Sequence, residues 1–252
     1  MPRKLGQHFL HRQDLLARIA EAACPQTEPL VVEIGAGRGA LTEHLLARSQ
    51  RVVAIEVDPR LAVALEERLG QRTGLEILRQ DVLTVDLGRW GAAVVAGNIP
   101  YYISSPILER VLGLGPLLKR AVLLLQREVA ERVAARPGRR EYGLLSVHAQ
   151  VIAETEILFL VPPSAFRPPP KVESAVLRLE PRPAPLLDWA ALPAFLAFAG
   201  RCFRFKRRTL RNNLLDLFPR AILDARPQLR LRAEQLSPAE LVELYWSLNP
   251  LA

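Results

Sequence analysis

Glu33-Ile34-Gly35-Ala36-Gly37-Arg38-Gly39 closes a short β-branched run at residues 30–34 and leads into a helical pattern that starts near Ala40. A strand that turns through glycines into a helix is the first unit of an open α/β sheet, in which ligands bind beyond the carboxyl ends of the strands. The glycine spacing separates ligand classes. Dinucleotide folds use Gly-x-Gly-x-x-Gly, where the third glycine makes room for helix packing and the helix N-terminus meets a pyrophosphate. Here the third glycine arrives one position early, and Glu33 stands two residues before the first. A carboxylate there repels pyrophosphate and suits a ligand carrying an ammonium or sulfonium. The turn therefore points to S-adenosylmethionine rather than NAD, with Glu33, Gly35 and Gly37 as its ligand-facing residues.

Downstream of this turn, residues 52–56, 76–78, 94–97 and 121–126 read as buried parallel strands. Helical segments alternate with them, and Asp58-Pro59 and Ser105-Pro106 supply start signals. The alternation predicts a Rossmann-like, mostly parallel sheet. It breaks at residues 152–180, where the runs 156–161 and 174–179 flank a proline loop. These predict a hairpin, with an antiparallel strand, at the sheet edge. Nine of the 21 prolines fall between Pro162 and Pro193, and residues 180–185 read as an extended linker. Helical patterns follow at 187–203, 207–218 and 238–248. The chain is expected to divide near residue 181 into a catalytic α/β domain, 1–180, and a small all-α domain, 181–252.

The other strand ends carry matching chemistry. Glu56 ends the second strand, 21 residues beyond Gly35, where an acid accepts hydrogen bonds from the two hydroxyls of a ribose. Asp81-Val82 follows the third strand, the acid placed to accept from an adenine amino group and the apolar neighbour to flank the ring. After the fourth strand comes Gly97-Asn98-Ile99-Pro100-Tyr101-Tyr102. Methylating an exocyclic base amine explains such a motif. Its nitrogen lone pair is delocalised into the purine and is a poor nucleophile. The Asn98 side-chain carbonyl and the Pro100 main-chain carbonyl can each accept one amino hydrogen, which favours a pyramidal nitrogen. Pro100 fixes its own φ and restricts Ile99. Tyr101 can stack on the base, and no strong general base is required, so catalysis rests on positioning and electrostatics.

Composition limits the alternatives. Of 252 residues, half are hydrophobic and 24% are charged, which excludes wholesale disorder. Residues 189–200 are too short, and interrupted by Pro193, to span a bilayer. The basic N-terminus lacks the apolar stretch of a signal peptide, so a cytoplasmic protein without membrane attachment is expected. Cys24 and Cys202, far apart and without Cys-x-x-Cys spacing, read as free buried thiols. The four histidines show no metal spacing, and no metal is expected. The net charge of +8 suggests a polyanionic partner. Residues 201–211 hold Arg201, Arg204, Lys206, Arg207, Arg208 and Arg211 with no acid among them, which favours nucleic-acid contact. Arg136, Arg139 and Arg140 form a second basic loop, read as flexible.

Lys4-Leu5-Gly6-Gln7-His8-Phe9-Leu10, the glycine turn, Asn98 to Tyr101, Phe166-Arg-Pro-Pro-Pro-Lys171-Val-Glu-Ser174-Ala-Val and Arg207-Arg208-Thr209-Leu210-Arg211-Asn212-Asn213-Leu214 together resemble the KsgA family of small-subunit ribosomal RNA adenine dimethyltransferases. The resemblance extends from Lys4 through Leu214. It implies transfer of two methyls from S-adenosylmethionine to each of two adjacent adenosines in the 3′-terminal hairpin loop of small-subunit RNA, late in subunit assembly. It further implies that His8 and Leu10 cover the cofactor alongside Gly35, Glu56, Asp81 and Asn98. Phe166 would pack against the target base opposite Tyr101, and Lys171 would lie among the RNA contacts. Ala36 departs from the proline common in that turn, which removes rigidity but no ligand group. A monomer acting on a pre-small-subunit particle is expected. Three other readings carry less of the sequence: an antibiotic-resistance methyltransferase of large-subunit RNA, a non-catalytic assembly factor on the same fold, and a nucleotide oxidoreductase.

Overall fold

The computed structural model describes residues 7–249, so Lys4, Leu5 and Gly6 of the N-terminal motif lie outside the described residues. Strand β1 (Phe9–Leu10) precedes helix α1 (Gln13–Ala23). Then β2 (Val31–Ile34), α2 (Ala40–Leu46), β3 (Val52–Ile55), α3 (Pro59–Leu69), β4 (Leu75–Leu78), β5 (Ala93–Asn98), α4 (Ser104–Leu112) and β6 (Leu118–Gln126) alternate as the pattern predicts. β2 and β3 are buried at every position, which is why they read as continuous apolar runs rather than alternating ones. Asp58 caps α3, its carboxylate accepting from Arg60 N at 3.0 Å, with Pro59 in the first turn. The start expected at Ser105-Pro106 moves to Ser104, because a 3₁₀ turn, Tyr101–Ile103, runs straight into α4.

Beyond β6 come α5 (Arg127–Ala134), α6 (Leu144–Ile152), β7 (Ala153–Val161), β8 (Phe166–Arg167) and β9 (Ser174–Pro181). The seven-stranded sheet has the order β4-β3-β2-β5-β6-β9-β7, with β2 to β6 parallel and β9 antiparallel to β6. The fold class is the expected one. Within it the antiparallel strand lies one place inside the edge, with β7 outside it. A separate two-stranded ladder joins β1 to β8, pairing Leu10 with Phe166.

The chain forms two compact units, the first containing residues up to 130 and 156–181, the second 131–155 and 182–252. The division expected at 181 corresponds to the end of β9, while residues 131–155, assigned by sequence to the catalytic domain, group with the helices. Hydrogen bonds explain the grouping. Ile152 O and Val151 O accept from Arg182 N and Leu186 N, and Glu234 O accepts from Gly138 N at 2.7 Å. In the second unit α7 (Leu192–Cys202), α8 (Leu210–Leu214), α9 (Arg220–Asp224) and α10 (Pro238–Leu248) follow. Phe195 and Phe198 of α7 pack on Tyr245 of α10. The long helices expected at 187–203 and 207–218 are shorter, and Thr209 caps α8. Residues 204–208 therefore stand in a loop before the helix.

Candidate active site

The glycine turn is built where its sequence places it. Gly35, Gly37 and Gly39 all have left-handed φ, 73°, 59° and 82°, a region costly for residues with a Cβ. At Gly39 a Cβ would also lie 2.6 Å from Leu65 Cδ1 and 2.8 Å from Leu69 Cδ1. Its early glycine thus serves the contact between this turn and α3. Glu56, at the end of β3, is buried and ties the turn in place: Gly37 N donates to its Oε2 at 2.8 Å and Asp58 N to its Oε1 at 2.9 Å. Burial pushes its pKa up, against the pull of those N–H groups.

Two adjoining cavities share Phe9, Gly35, Gly37 and Asn98. Glu56, Asp81, Val82, Pro100 and Tyr101 border the first, as does His8. Leu10, Glu33, Ala36, Arg38 and Arg167 border the second. Asp81 is exposed, and its Oδ1 accepts from Leu83 N at 2.9 Å, fixing the carboxylate at the mouth of the first cavity. Glu33 is 1% exposed and its Oε2 has no hydrogen-bond partner. Burial pushes its pKa up to about 7, the neighbouring Thr42 hydroxyl opposes that shift, and the charge of Glu56 adds to it. An unpartnered buried carboxylate oxygen beside an open glycine turn fits a cationic group. Among the described residues no group of three His, Cys, Asp or Glu side chains could hold a metal ion.

Asn98 sits at the junction of the cavities. Its Nδ2 donates to the carbonyl of His8 at 2.9 Å, which orients the amide and leaves Oδ1 as an acceptor. His8 Nδ1 donates to Pro168 O at 2.7 Å, and its ring stacks on Tyr101 with centroids 5.6 Å apart. The Tyr101 hydroxyl and Ser174 Oγ are 2.5 Å apart. The Pro100 carbonyl differs from expectation: it accepts from Ile103 N and from Ser104 Oγ, both at 3.2 Å. Ser104 Oγ lies at the same distance from Tyr101 O, so its bond to Pro100 has a ready substitute.

Phe166 corrects the sequence reading. It is 2% exposed and packs in the core with Leu10, Leu16, Ile19 and Val176, and it borders neither cavity. Pairing of β8 with β1 turns its ring inward. Phe9, between His8 and Leu10, borders both cavities, although the sequence motif alone does not single it out. Ser174, which the sequence shows only as one member of a motif, is the hydrogen-bond partner of Tyr101.

The basic residues divide by environment. Lys171, in the first unit, is exposed, as are Arg136, Arg139 and Arg140 in the second. The latter loop, expected to be flexible, is pinned through Gly138. Arg204, Lys206, Arg207 and Arg208 are exposed. The run free of acids is nevertheless partly compensated by neighbouring elements: Arg201 pairs with Asp216, Arg204 lies 3.6 Å from Asp216, and Arg211 pairs with Asp224 at 2.5 Å. Cys24 and Cys202 are buried free thiols, and burial pushes the first up to about 11. Burial pushes His148, within α6, down to about 4, so it is neutral at pH 7. No helix among the described residues is long and apolar enough to cross a membrane.

Residues 1–248 match the family model described as ribosomal RNA adenine dimethylase. A ribosomal RNA small subunit methyltransferase A of Acidobacterium capsulatum is 42% identical over 256 residues, covering 98% of this chain and 90% of the relative. Among solved structures, a dimethyladenosine transferase from Plasmodium falciparum superposes with a TM-score of 0.84 at 26% identity, covering 96% of this chain and 98% of the other. The 23S rRNA methyltransferase ErmE superposes with a TM-score of 0.79 at 31% identity, covering 96% and 99%.

Proposed function

The chain belongs to the ribosomal RNA adenine dimethylase family, and from that premise we propose how its residues divide the reaction. It is an S-adenosylmethionine-dependent methyltransferase that dimethylates adenosines of small-subunit ribosomal RNA. Its targets, in this reading, are two adjacent adenosines in the 3′-terminal hairpin loop, met by a cytoplasmic monomer on a pre-small-subunit particle.

Bound S-adenosylmethionine supplies an electrophilic methyl on a sulfonium. Glu56 accepts from its ribose hydroxyls with the lone pairs that Gly37 N and Asp58 N leave open. Asp81 and Val82 receive the adenine, Glu33 faces the cationic end, and His8 and Leu10 close over the site. The orientation of Asn98 carries the proposal: with Nδ2 held by the His8 carbonyl, Oδ1 accepts one hydrogen of the target amine. The Pro100 carbonyl accepts the other once Ser104 Oγ shifts to Tyr101 O. Two acceptors on one amino group draw its lone pair out of conjugation with the ring. Tyr101, held by Ser174 and His8, is the stacking surface. A flat base on such a surface suits unpaired RNA, since a base in a duplex must first leave its stack.

The exposed cations Lys171, Arg136, Arg139, Arg140, Arg204, Lys206, Arg207 and Arg208 contact RNA phosphates in this reading, and Arg211 contributes less because Asp224 holds it. Labelled cofactor supplied with undermethylated small or large subunits tests the assignment. Label is expected in small-subunit RNA, and label confined to large-subunit RNA would refute it.

A further inference from the structure

Phe205 lies in the middle of an exposed basic loop of the second unit and is itself 41% exposed. Residues 204–208 are all exposed, and a phenylalanine there leaves a large apolar side chain partly in water. Its neighbours are arranged around it. The guanidinium carbon of Arg208 lies 4.3 Å from the ring centroid and that of Arg204 5.1 Å. Among the described residues, Lys206, Arg207 and Arg208 form no ion pair with the protein's acids.

The loop beneath the ring is fixed from inside. Buried Asn213 donates from Nδ2 to Cys202 O at 2.8 Å and to Phe205 O at 3.3 Å, and Arg208 N donates to Phe205 O at 2.9 Å. Phe203, two residues earlier, packs edge-on against Tyr142, centroids 6.0 Å apart. Tyr142 stands two residues beyond Arg140, so this ring contact links the chain segments that carry the two basic loops of the unit. Ring and cations together meet the two needs of unpaired nucleic acid: the exposed guanidiniums that rest over the ring can swing out to phosphates as a base takes the ring face.

We propose that Phe205 is a stacking post for an unpaired base of the ribosomal RNA, with Arg204 and Arg208 taking the flanking phosphates. The proposal rests on the reading of the chain as a ribosomal RNA enzyme. The order already present in the loop means that little entropy is given up in freezing it on binding.

Affinity for undermethylated small subunits, measured across a range of salt for the wild type and for Phe205→Ala, Phe205→Leu, Phe205→Trp and Arg208→Gln, tests it. Phe205→Ala and Phe205→Leu are expected to weaken binding about 5- to 150-fold with the salt slope unchanged, because no charge is removed. Phe205→Trp should bind within a few-fold of wild type, and cofactor binding should be the same in all. Wild-type affinity in Phe205→Ala or Phe205→Leu overturns the post. So does a Phe205→Ala salt slope reduced as far as that of Arg208→Gln, since the ring would then act only by ordering the arginines. A wild-type protein that neither binds nor methylates small subunits overturns the underlying reading and the post with it.

Discussion

Glu33 and Glu56 are 1% and 5% exposed, and backbone N–H groups from two loops hold the Glu56 carboxylate. Lys206 and Arg207 stand in solvent in a loop whose order comes from Asn213 and from ring contacts. The acids are kept where their charge is costly; in the proposed reading backbone N–H groups and ribose hydroxyls compensate Glu56, and a cationic ligand group compensates Glu33. The basic loop keeps its charge where it is cheap, which suits a large polyanion that displaces counterions over many weak contacts. Selectivity for a small cation and affinity for a long anion are thus assigned to different environments within one chain.

The two phenylalanines sharpen the contrast most strongly. Phe166 is enclosed by the core, so Phe166→Ala should lower unfolding free energy by roughly 3–5 kcal/mol, whereas Phe205→Ala should leave it nearly unchanged. Denaturant titration of the two variants checks this. A Phe166→Ala protein of wild-type stability that no longer transfers methyl groups would return Phe166 to the target base.

A smaller effect is expected from charge in the pocket. The folded chain holds the Glu33 proton up to about pH 7, against about 4.5 for an ordinary glutamate. Between these values the folded state binds more protons than the unfolded one. Stability of the cofactor-free protein therefore falls as pH rises through that window, and the penalty is complete above it. S-adenosylmethionine affinity should rise over the same range, as the carboxylate forms. Glu33→Gln should remove both slopes and weaken binding at pH 8 by about 10-fold or more, the worth of a charge-assisted hydrogen bond. Calorimetry from pH 5 to 8 measures it, and pH-independent binding by the wild type would contradict the role of Glu33.

The smallest effect concerns the basic loop. Arg207→Gln with Arg208→Gln should flatten the salt dependence of subunit binding by about 0.7–0.9 for each phosphate that is no longer neutralised. Arg211→Gln should change it less, because Asp224 already compensates that charge. An unchanged slope in the double variant would mark the loop as a merely solvated surface.

What the sequence makes readable is local. Glycines at fixed spacing, an acid at a strand end and an Asn-Ile-Pro-Tyr turn are each written within a few residues, because backbone conformation and strand alternation dictate them. The less readable features join distant segments. Asp216 and Asp224 lie outside the basic run they compensate, and β1 pairs with β8 across about 157 residues to turn Phe166 inward. In sequence, helix α6 resembles one more crossover helix of the sheet. Its hydrogen bonds to residues 182 and 186 and its packing against α7 and α10 group it with the helical unit.

In the proposed reading, catalysis depends above all on neutral Asn98 positioning the amine without binding the cofactor's charge. Methyl transfer to undermethylated small subunits and S-adenosylmethionine affinity, measured side by side for wild type and Asn98→Ala, test this directly. Transfer should fall by at least roughly 100-fold, as for removal of a preorganised transition-state hydrogen bond, while cofactor and subunit affinities stay within a few-fold. Retained transfer by Asn98→Ala, or a fall in transfer explained entirely by weaker cofactor binding, would contradict this role.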